Sequence, residues 1–354
     1  MEAASGGGAR RQRNEATGAA AAAAASLHIH SLPDSVLGLT FEQLGSPYDT
    51  GPGVPLACKR WQRTFFSPAA SKLWHSLELE QSKEFTLWST AEQEGWLAAR
   101  LRGLRTVAPC VQELNVYFDL DILSECLQAL SSRPAALQSL LFSSNTDALS
   151  PSHLRGLLSF TQLRGLHVDT DAHPLPHNAG WPLHQLPSLV ALGASASHFT
   201  PECLGQLAAL SALTSLSLSS GQPLPDDMPQ LKDLSVSFCD LSAGLPAPLA
   251  EHASLKVLAL NHCGLASIPR LMCTTGLRHL ELLGNQLTEL PDLGPSTSLV
   301  DLWLPHNPGL KLSTGSVEGL AVRYPSLESL SLGSSSCLGP LIRLGCLMPD
   351  LAIG

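Results

Sequence analysis

The chain has 354 residues, 44% of them hydrophobic and 14% charged, with a formal net charge of −9. That length buries a large core, the negative balance gives no global field for nucleic acid or anionic lipid, and no uninterrupted apolar run reaches the roughly 18 residues of a membrane span. Nine cysteines, at 58, 110, 126, 203, 239, 263, 273, 337 and 346, include no C-x-x-C pair. Neither a disulfide framework nor a zinc site is therefore expected, and reduced structural thiols point to the cytoplasm and/or nucleus.

Residues 1–27 are rich in Ala, Gly and Arg, with Arg10, Arg11 and Arg13 before the run Ala19–Ala25, and carry no apolar periodicity. A disordered tail is expected; Glu2 and Glu15 argue against the lesser alternatives of a transit peptide or a weak nuclear signal. Residues 28–80 come next as a separate module. It opens with Leu32-Pro33-Asp34, where Asp34 can cap a helix whose Val36, Leu37, Phe41 and Leu44 recur at helical spacing. Then come Leu56-Ala57-Cys58-Lys59-Arg60-Trp61, Leu73-Trp74 and Leu77-Glu78-Leu79. A module of about fifty residues buries little core, so apolar surface is left over for a partner helix.

This ordered set resembles the F-box family. The resemblance implies a small all-helical module that docks on a Skp-type adaptor and, through it, a cullin ubiquitin ligase. The residues it assigns to adaptor binding are Leu32, Pro33, Val36, Leu37, Phe41, Leu44, Cys58, Trp61, Leu73 and Trp74. The chain departs from the family at 49–55, where Pro52 and Pro55 forbid continuous helix and delay the second helix by about a turn. The alternative is that these residues cap the apolar end of the repeats C-terminal to them.

Residues 81–110 connect the module to the rest. Ser89 and Glu92 have capping-box spacing, Arg100, Arg102 and Arg105 fall near the end, and Trp96, Leu97, Leu101 and Leu104 supply an apolar face. The spacing predicts a helix over 89–105.

From 111 to 354 the chain repeats itself. L-x-x-L-x-L, with conservative replacements, starts at residues 111, 137, 163, 189, 213, 231, 255, 277, 299 and 327, mostly 22 to 28 residues apart. This pattern resembles the leucine-rich-repeat family. The expected fold is α/β: a leucine-rich-repeat solenoid with a curved parallel sheet and a mixed helical and irregular convex side, preceded by the F-box-like module. The L-x-L portion is a short strand whose leucines are buried only when repeats stack. Three residues after the last core position the family places Asn or Cys; here stand Asn145, Asp171, Cys239, Cys263, Asn285 and Asn307, but Ser197, Gly221 and Ser335 depart. Early return segments start helices at Ser150-Pro151 and Thr200-Pro201-Glu202. The later ones, Leu265–Pro269 and Leu287–Pro291, are too short for a full helix. The 18-residue repeat at 213–230, with Pro223, Pro225 and Pro229, predicts a kink. At Leu351-Ala352-Ile353 an eleventh strand begins.

Positions between core leucines project onto the concave face. They are small in repeats four and five (Gly193, Ser195, Ser215, Ser217, Ser219). In repeats six to nine they become Asp233, Phe238, His262, His279, Glu281, Asp301, Trp303 and His306, the composition of a protein-binding hot spot. These eight are the candidate substrate-binding residues, with an ordinary solvated strand face as the alternative. His167, Asp169, Asp171 and His173 have a weak metal-ligand spacing, but Asp171 already fills the turn position. No H-E-x-x-H, phosphate loop or G-x-S-x-G occurs, so neither an enzyme, a cofactor nor a resident metal is expected. The resemblances together imply a substrate-recognition adaptor; a repeat scaffold without a ubiquitin role and an intracellular ligand sensor are the alternatives.

Overall fold

A computed structural model describes residues 74–80, 89–117, 122–131, 136–144, 151–170, 183–195, 206–219, 228–333, 344 and 347–353. The N-terminal tail, the F-box-like segment up to Leu73, the cap at Thr200 and the turn positions Asn145, Asp171, Ser197, Gly221 and Ser335 lie outside these residues. The chain divides into two compact units, Met1–Ser76 and Leu77–Gly354, and nearly all the described residues belong to the second.

Twelve strands among the described residues make one sheet in which every strand lies beside its neighbour in sequence. They are β1 (Ser76–Glu80), β2 (Glu113–Tyr117), β3 (Ser139–Ser144), β4 (Gly165–Thr170), β5 (Ala191–Ser195), β6 (Ser215–Ser219), β7 (Asp233–Ser237), β8 (Val257–Asn261), β9 (His279–Glu281), β10 (Asp301–Trp303), β11 (Ser329–Ser331) and β12 (Ala352–Ile353). All pairings from β2 to β12 are parallel.

The leucine ladder explains this order. Leu114 pairs with Leu140 and Leu140 with Leu166, and the same row runs on through Leu258, Leu280 and Leu302. Each of these six is at most 2% exposed. A buried leucine contributes about 1.5–3 kcal/mol, but only when the repeats on both sides cover it. Side chains alternate across the strand, so the intervening residues stay on the open face. The architecture is a leucine-rich-repeat solenoid.

The return segments change along the chain as their composition predicts. The first half carries helices: α1 (Thr90–Val107), α2 (Leu123–Ser131) and α3 (Pro151–Leu157), the last starting at the proline expected to begin it. Farther on come a single-turn helix, α4 (Ala247–Ala250), and a 3₁₀ turn at Met272–Thr275, while 282–300 holds no helix. Helix α5 (Thr314–Arg323) returns beside β11, with the Ser313 hydroxyl accepting from Ser316 N at 3.1 Å.

Three expectations need correction. In α1 the capping box forms, with Ser89 N and Oγ both donating to Glu92 Oε2, but the buried face is Leu101, Leu104 and Val107. Trp96 and Leu97 are only half-buried; the Arg100 guanidinium lies 5.0 Å from the Trp96 ring centre and covers it. Residues 76–80, expected to close the F-box-like module, form the first strand of the sheet. Trp74-x-x-Leu77-x-Leu79 is itself the repeat motif with Trp in the first position. The 18-residue repeat keeps all five register pairs, from Ser215 with Asp233 to Ser219 with Ser237, while Pro223 and Pro225 of its return segment lie outside the described residues. Finally, Phe238, His262 and His306 stand just after their strands rather than on them.

Candidate functional site

Strand register sorts the eight candidate residues into three columns. The first runs Asp233, Val257, His279, Asp301 across β7 to β10. Two residues farther along each strand, the second runs Ser235, Ala259, Glu281, Trp303. The third lies beyond the strand ends and runs Phe238, His262, Gly284, His306. Its members share a left-handed backbone, with φ of 58°, 54°, 69° and 56°.

The left-handed residue is what places the rings. It comes after the last core position of the strand and turns the chain into the return segment, so its side chain escapes the alternation that would send it inward. The backbone ladder nonetheless continues: Phe238 N donates to Asn261 O at 2.9 Å, His262 N to Leu283 O at 2.8 Å, and Gly284 N to Pro305 O at 3.0 Å. Phe238 and His262 stack, with centroids 4.8 Å apart and planes 5° off parallel. The His262 ring lies against Gly284, where a Cβ would come within 2.3 Å of Nδ1. Glycine at 284 therefore provides both the left-handed turn and the space for the ring.

The turn beneath is held by the Asn/Cys position. Asn285 is buried and saturated: Oδ1 accepts from Cys263 N and Leu265 N, each at 3.1 Å, while Nδ2 donates to Leu260 O at 2.7 Å and Leu282 O at 3.0 Å. Asn307 repeats the arrangement one turn on, accepting from Leu287 N and donating to Leu282 O and Leu304 O. The Cys263 thiol donates to Asn261 O 3.2 Å away. Each Asn thus ties two repeats together.

On the open face, the imidazole Nδ1 of His279 pairs with the Asp301 carboxylate. Trp303 sits opposite Glu281 on one side and Ser331 on the other, and is 47% exposed; Phe238 is 62% exposed. Large rings at that exposure, amid carboxylates and imidazoles, give a surface able to bury apolar area against another protein and to orient it by charge.

The other sequence candidates fare differently. Of the adaptor-binding set, Leu32, Pro33, Val36, Leu37, Phe41, Leu44, Cys58, Trp61 and Leu73 lie outside the described residues, and Trp74 is buried. His167 lies flat on the neighbouring strand, its ring occupying the space a Cβ at Gly193 would need. Asp169 is on the same strand, while Asp171 and His173 lie outside the described residues. Among the described residues no group of three His, Cys, Asp or Glu gathers as a metal site. Burial pushes the Cys126 thiol up to about 12, with a smaller push from the Glu125 charge, and burial takes Cys273 to about 11; both are protonated packing residues.

A cavity of about 330 Å³ opens on the return side, lined by Ser267, Ile268, Glu289, Leu290, Pro291, Asp292, Ser316, Leu320, Arg323 and Tyr324. Three of its polar groups are engaged within the chain. Arg323 Nη1 donates to Asp292 Oδ1 at 2.8 Å, Leu293 N donates to the Tyr324 hydroxyl, and that hydroxyl donates to Pro291 O. The Gly294 amide and then Arg323 hold the Asp292 carboxyl below its usual range.

No protein-family profile and no curated protein sequence matches the chain. Solved structures similar to it include the Rad7–Elc1 complex of yeast, 14% identical over 99% of this chain and 98% of the matched chain, with a TM-score of 0.46. An internalin (inlF) of Listeria monocytogenes is 17% identical over 71% of this chain and 82% of its own, with a TM-score of 0.41. A leucine-rich-repeat protein of Leptospira interrogans is 15% identical over 81% and 92%, with a TM-score of 0.39.

Proposed function

We propose that the chain is a substrate-recognition adaptor of an SCF-type ubiquitin ligase. The open sheet face from Asp233 to His306 holds a protein substrate, and the F-box-like residues 28–80 hold the Skp-type adaptor and cullin. The observation that carries the binding half is the half-exposed Trp303, paired across the strands with Glu281, on a sheet that also carries the His279–Asp301 pair and, past the strand ends, the Phe238–His262 stack. The ubiquitin half is supported by the ordered F-box motifs of the sequence.

In this reading the chain performs no chemistry. It raises the local concentration of substrate lysines near a separate transferring enzyme, which converts a bimolecular encounter into an effectively intramolecular one. The setting is the cytoplasm or nucleus, where thiols such as Cys126 and Cys273 stay reduced.

One observation favours a second reading, a protein-interaction scaffold with no ubiquitin role. Trp74, Leu77 and Leu79 fit the repeat motif, as residues capping the solenoid would. Pull-down of the full chain with a Skp-type adaptor, with and without residues 28–73, which spares the first strand, separates the two. Adaptor capture that depends on 28–73 supports the first; no capture, with the substrate still bound, leaves the scaffold.

A further inference from the structure

The residues two places before each core leucine form a fourth column, fixed by backbone pairing. The Lys232 carbonyl accepts from Lys256 N at 2.7 Å and Val257 N at 3.1 Å. The Lys256 carbonyl accepts in turn from Arg278 N at 2.8 Å and His279 N at 3.1 Å, and Arg278 passes the ladder to Val300 and Asp301. Lys232, Lys256 and Arg278 therefore stand side by side at the starts of β7, β8 and β9, and all three are exposed. Thr214 and Val300 flank the row and carry no charge.

No carboxylate among the described residues lies within ion-pair distance of any of the three; the ion pairs there are His279–Asp301 and Arg323–Asp292. Neighbouring strands are about 4.8 Å apart, so like charges stand in direct register, which destabilises a sheet. The chain carries 21 Lys and Arg against 30 Asp and Glu. A row of adjacent, unpaired cations is thus a local reversal of its overall sign, at a cost that an anionic partner would remove.

We propose that this basic row docks the acidic face of a helix on a protein partner. The spacing selects the helix. Three strands place the cations over about 10 Å, and carboxylates at i, i+4 and i+7 span about 10 Å along a helix at 1.5 Å per residue. An extended peptide needs about 13 Å for three side chains on one face. The column immediately inside the row contains Asp233 and Asp301, with Glu281 beyond it. These carboxylates repel an acidic helix from the middle of the sheet and hold it at the margin. The row borders the Asp233–Asp301 column of the proposed substrate face but contains none of its eight residues, so the two are tested by different substitutions.

The test is fluorescence anisotropy of the full chain with labelled, Ala-based helical peptides of about 20 residues. One carries Glu at i, i+4 and i+7; a second carries the same three Glu spread around the helix; a third carries Lys at i, i+4 and i+7. The first should bind, and its affinity should fall roughly tenfold between about 0.05 and 0.5 M salt. It should also fall roughly tenfold in the Lys232→Gln/Lys256→Gln/Arg278→Gln variant, and a few-fold in each single variant. Removing like-charge repulsion should leave the melting temperature of the triple variant equal to or above that of the native chain. Equal binding of the spread peptide, of the Lys peptide or of a single-stranded RNA oligomer would overturn the proposal, as would no binding of the first peptide or unchanged affinity in the triple variant.

Discussion

Repeats four and five and repeats seven to nine use the same leucine ladder and differ in nearly everything around it. In the earlier pair the open face is Gly193, Ser215, Ser217 and Ser219, on full five-residue strands. In the later group the strands shorten to three residues at β9 and β10, and buried asparagines hold the turns. Left-handed residues project His262 and His306 there, and Phe238 from the end of the strand in repeat six. Left-handed turns after β7, β8 and β10 bring out large side chains that the alternation of a regular strand would send inward. In a solenoid each repeat is covered by its neighbours, so the face can vary without loss of the core.

The comparison can be broken most sharply at Asn285. Asn285→Ala would strand the amides of Cys263 and Leu265 and the Leu260 carbonyl, and should cost about 3 kcal/mol or more, whereas Ser217→Ala should stay within about 0.5 kcal/mol. Urea unfolding of the two variants measures this; equal midpoints would mean that the later turns are no better tied than the earlier face.

Gly284→Ala should cost about 1–2 kcal/mol, because the new Cβ meets the His262 ring as well as a left-handed backbone. Adding His262→Ala should restore the steric part, seen as a partial return of the thermal midpoint. A double variant as unstable as the single would show that the ring is not what glycine accommodates.

Trp303→Ala should weaken capture of the bound protein roughly tenfold, with folding intact because the ring is half exposed. Ser217→Ala should leave capture unchanged. Similar capture by both variants in a quantitative pull-down would move the binding surface elsewhere.

The smallest effect concerns the thiols. Cys126 and Cys273 have folded-state values of about 12 and 11 against an ordinary value of 9.0. Above pH 9 the unfolded chain loses these protons first, so their contribution is intact below that value and declines as pH rises toward the folded ones. Denaturation midpoints should fall between pH 9 and 11, and both thiols should resist a labelling reagent at pH 8 in the folded chain. Rapid labelling under native conditions would contradict their burial.

Which strand positions face away from the leucine row was legible in the sequence. Counting from the core leucines picks out Asp233, His279, Glu281, Asp301 and Trp303, because the strand period of two comes directly from backbone geometry; that period would turn Phe238, His262 and His306 inward, and only their left-handed backbone brings them out. The ring stack was not legible. Gly284 lies at the same repeat position as Phe238, His262 and His306, a hint that the position is left-handed, but which ring would lean on it depends on contact between adjacent repeats. The basic row is not legible for a similar reason: Lys232, Lys256 and Arg278 are 24 and 22 residues apart in sequence, and only pairing puts them side by side. Trp74 fits the closing Leu-Trp of the helical module in sequence, but its spacing to Leu77 and Leu79 fits a repeat equally well, and the sheet decides for the repeat.

By itself, the sequence determined the repeat, the buried row and the residues free to face outward. These come from local periodicity and from the need of every short apolar strand to be covered. Tertiary structure alone decided which charges became neighbours, which ring rests on which glycine and where the first strand begins. Those relations join residues some twenty positions apart, and only the hydrogen-bonded register between strands fixes them.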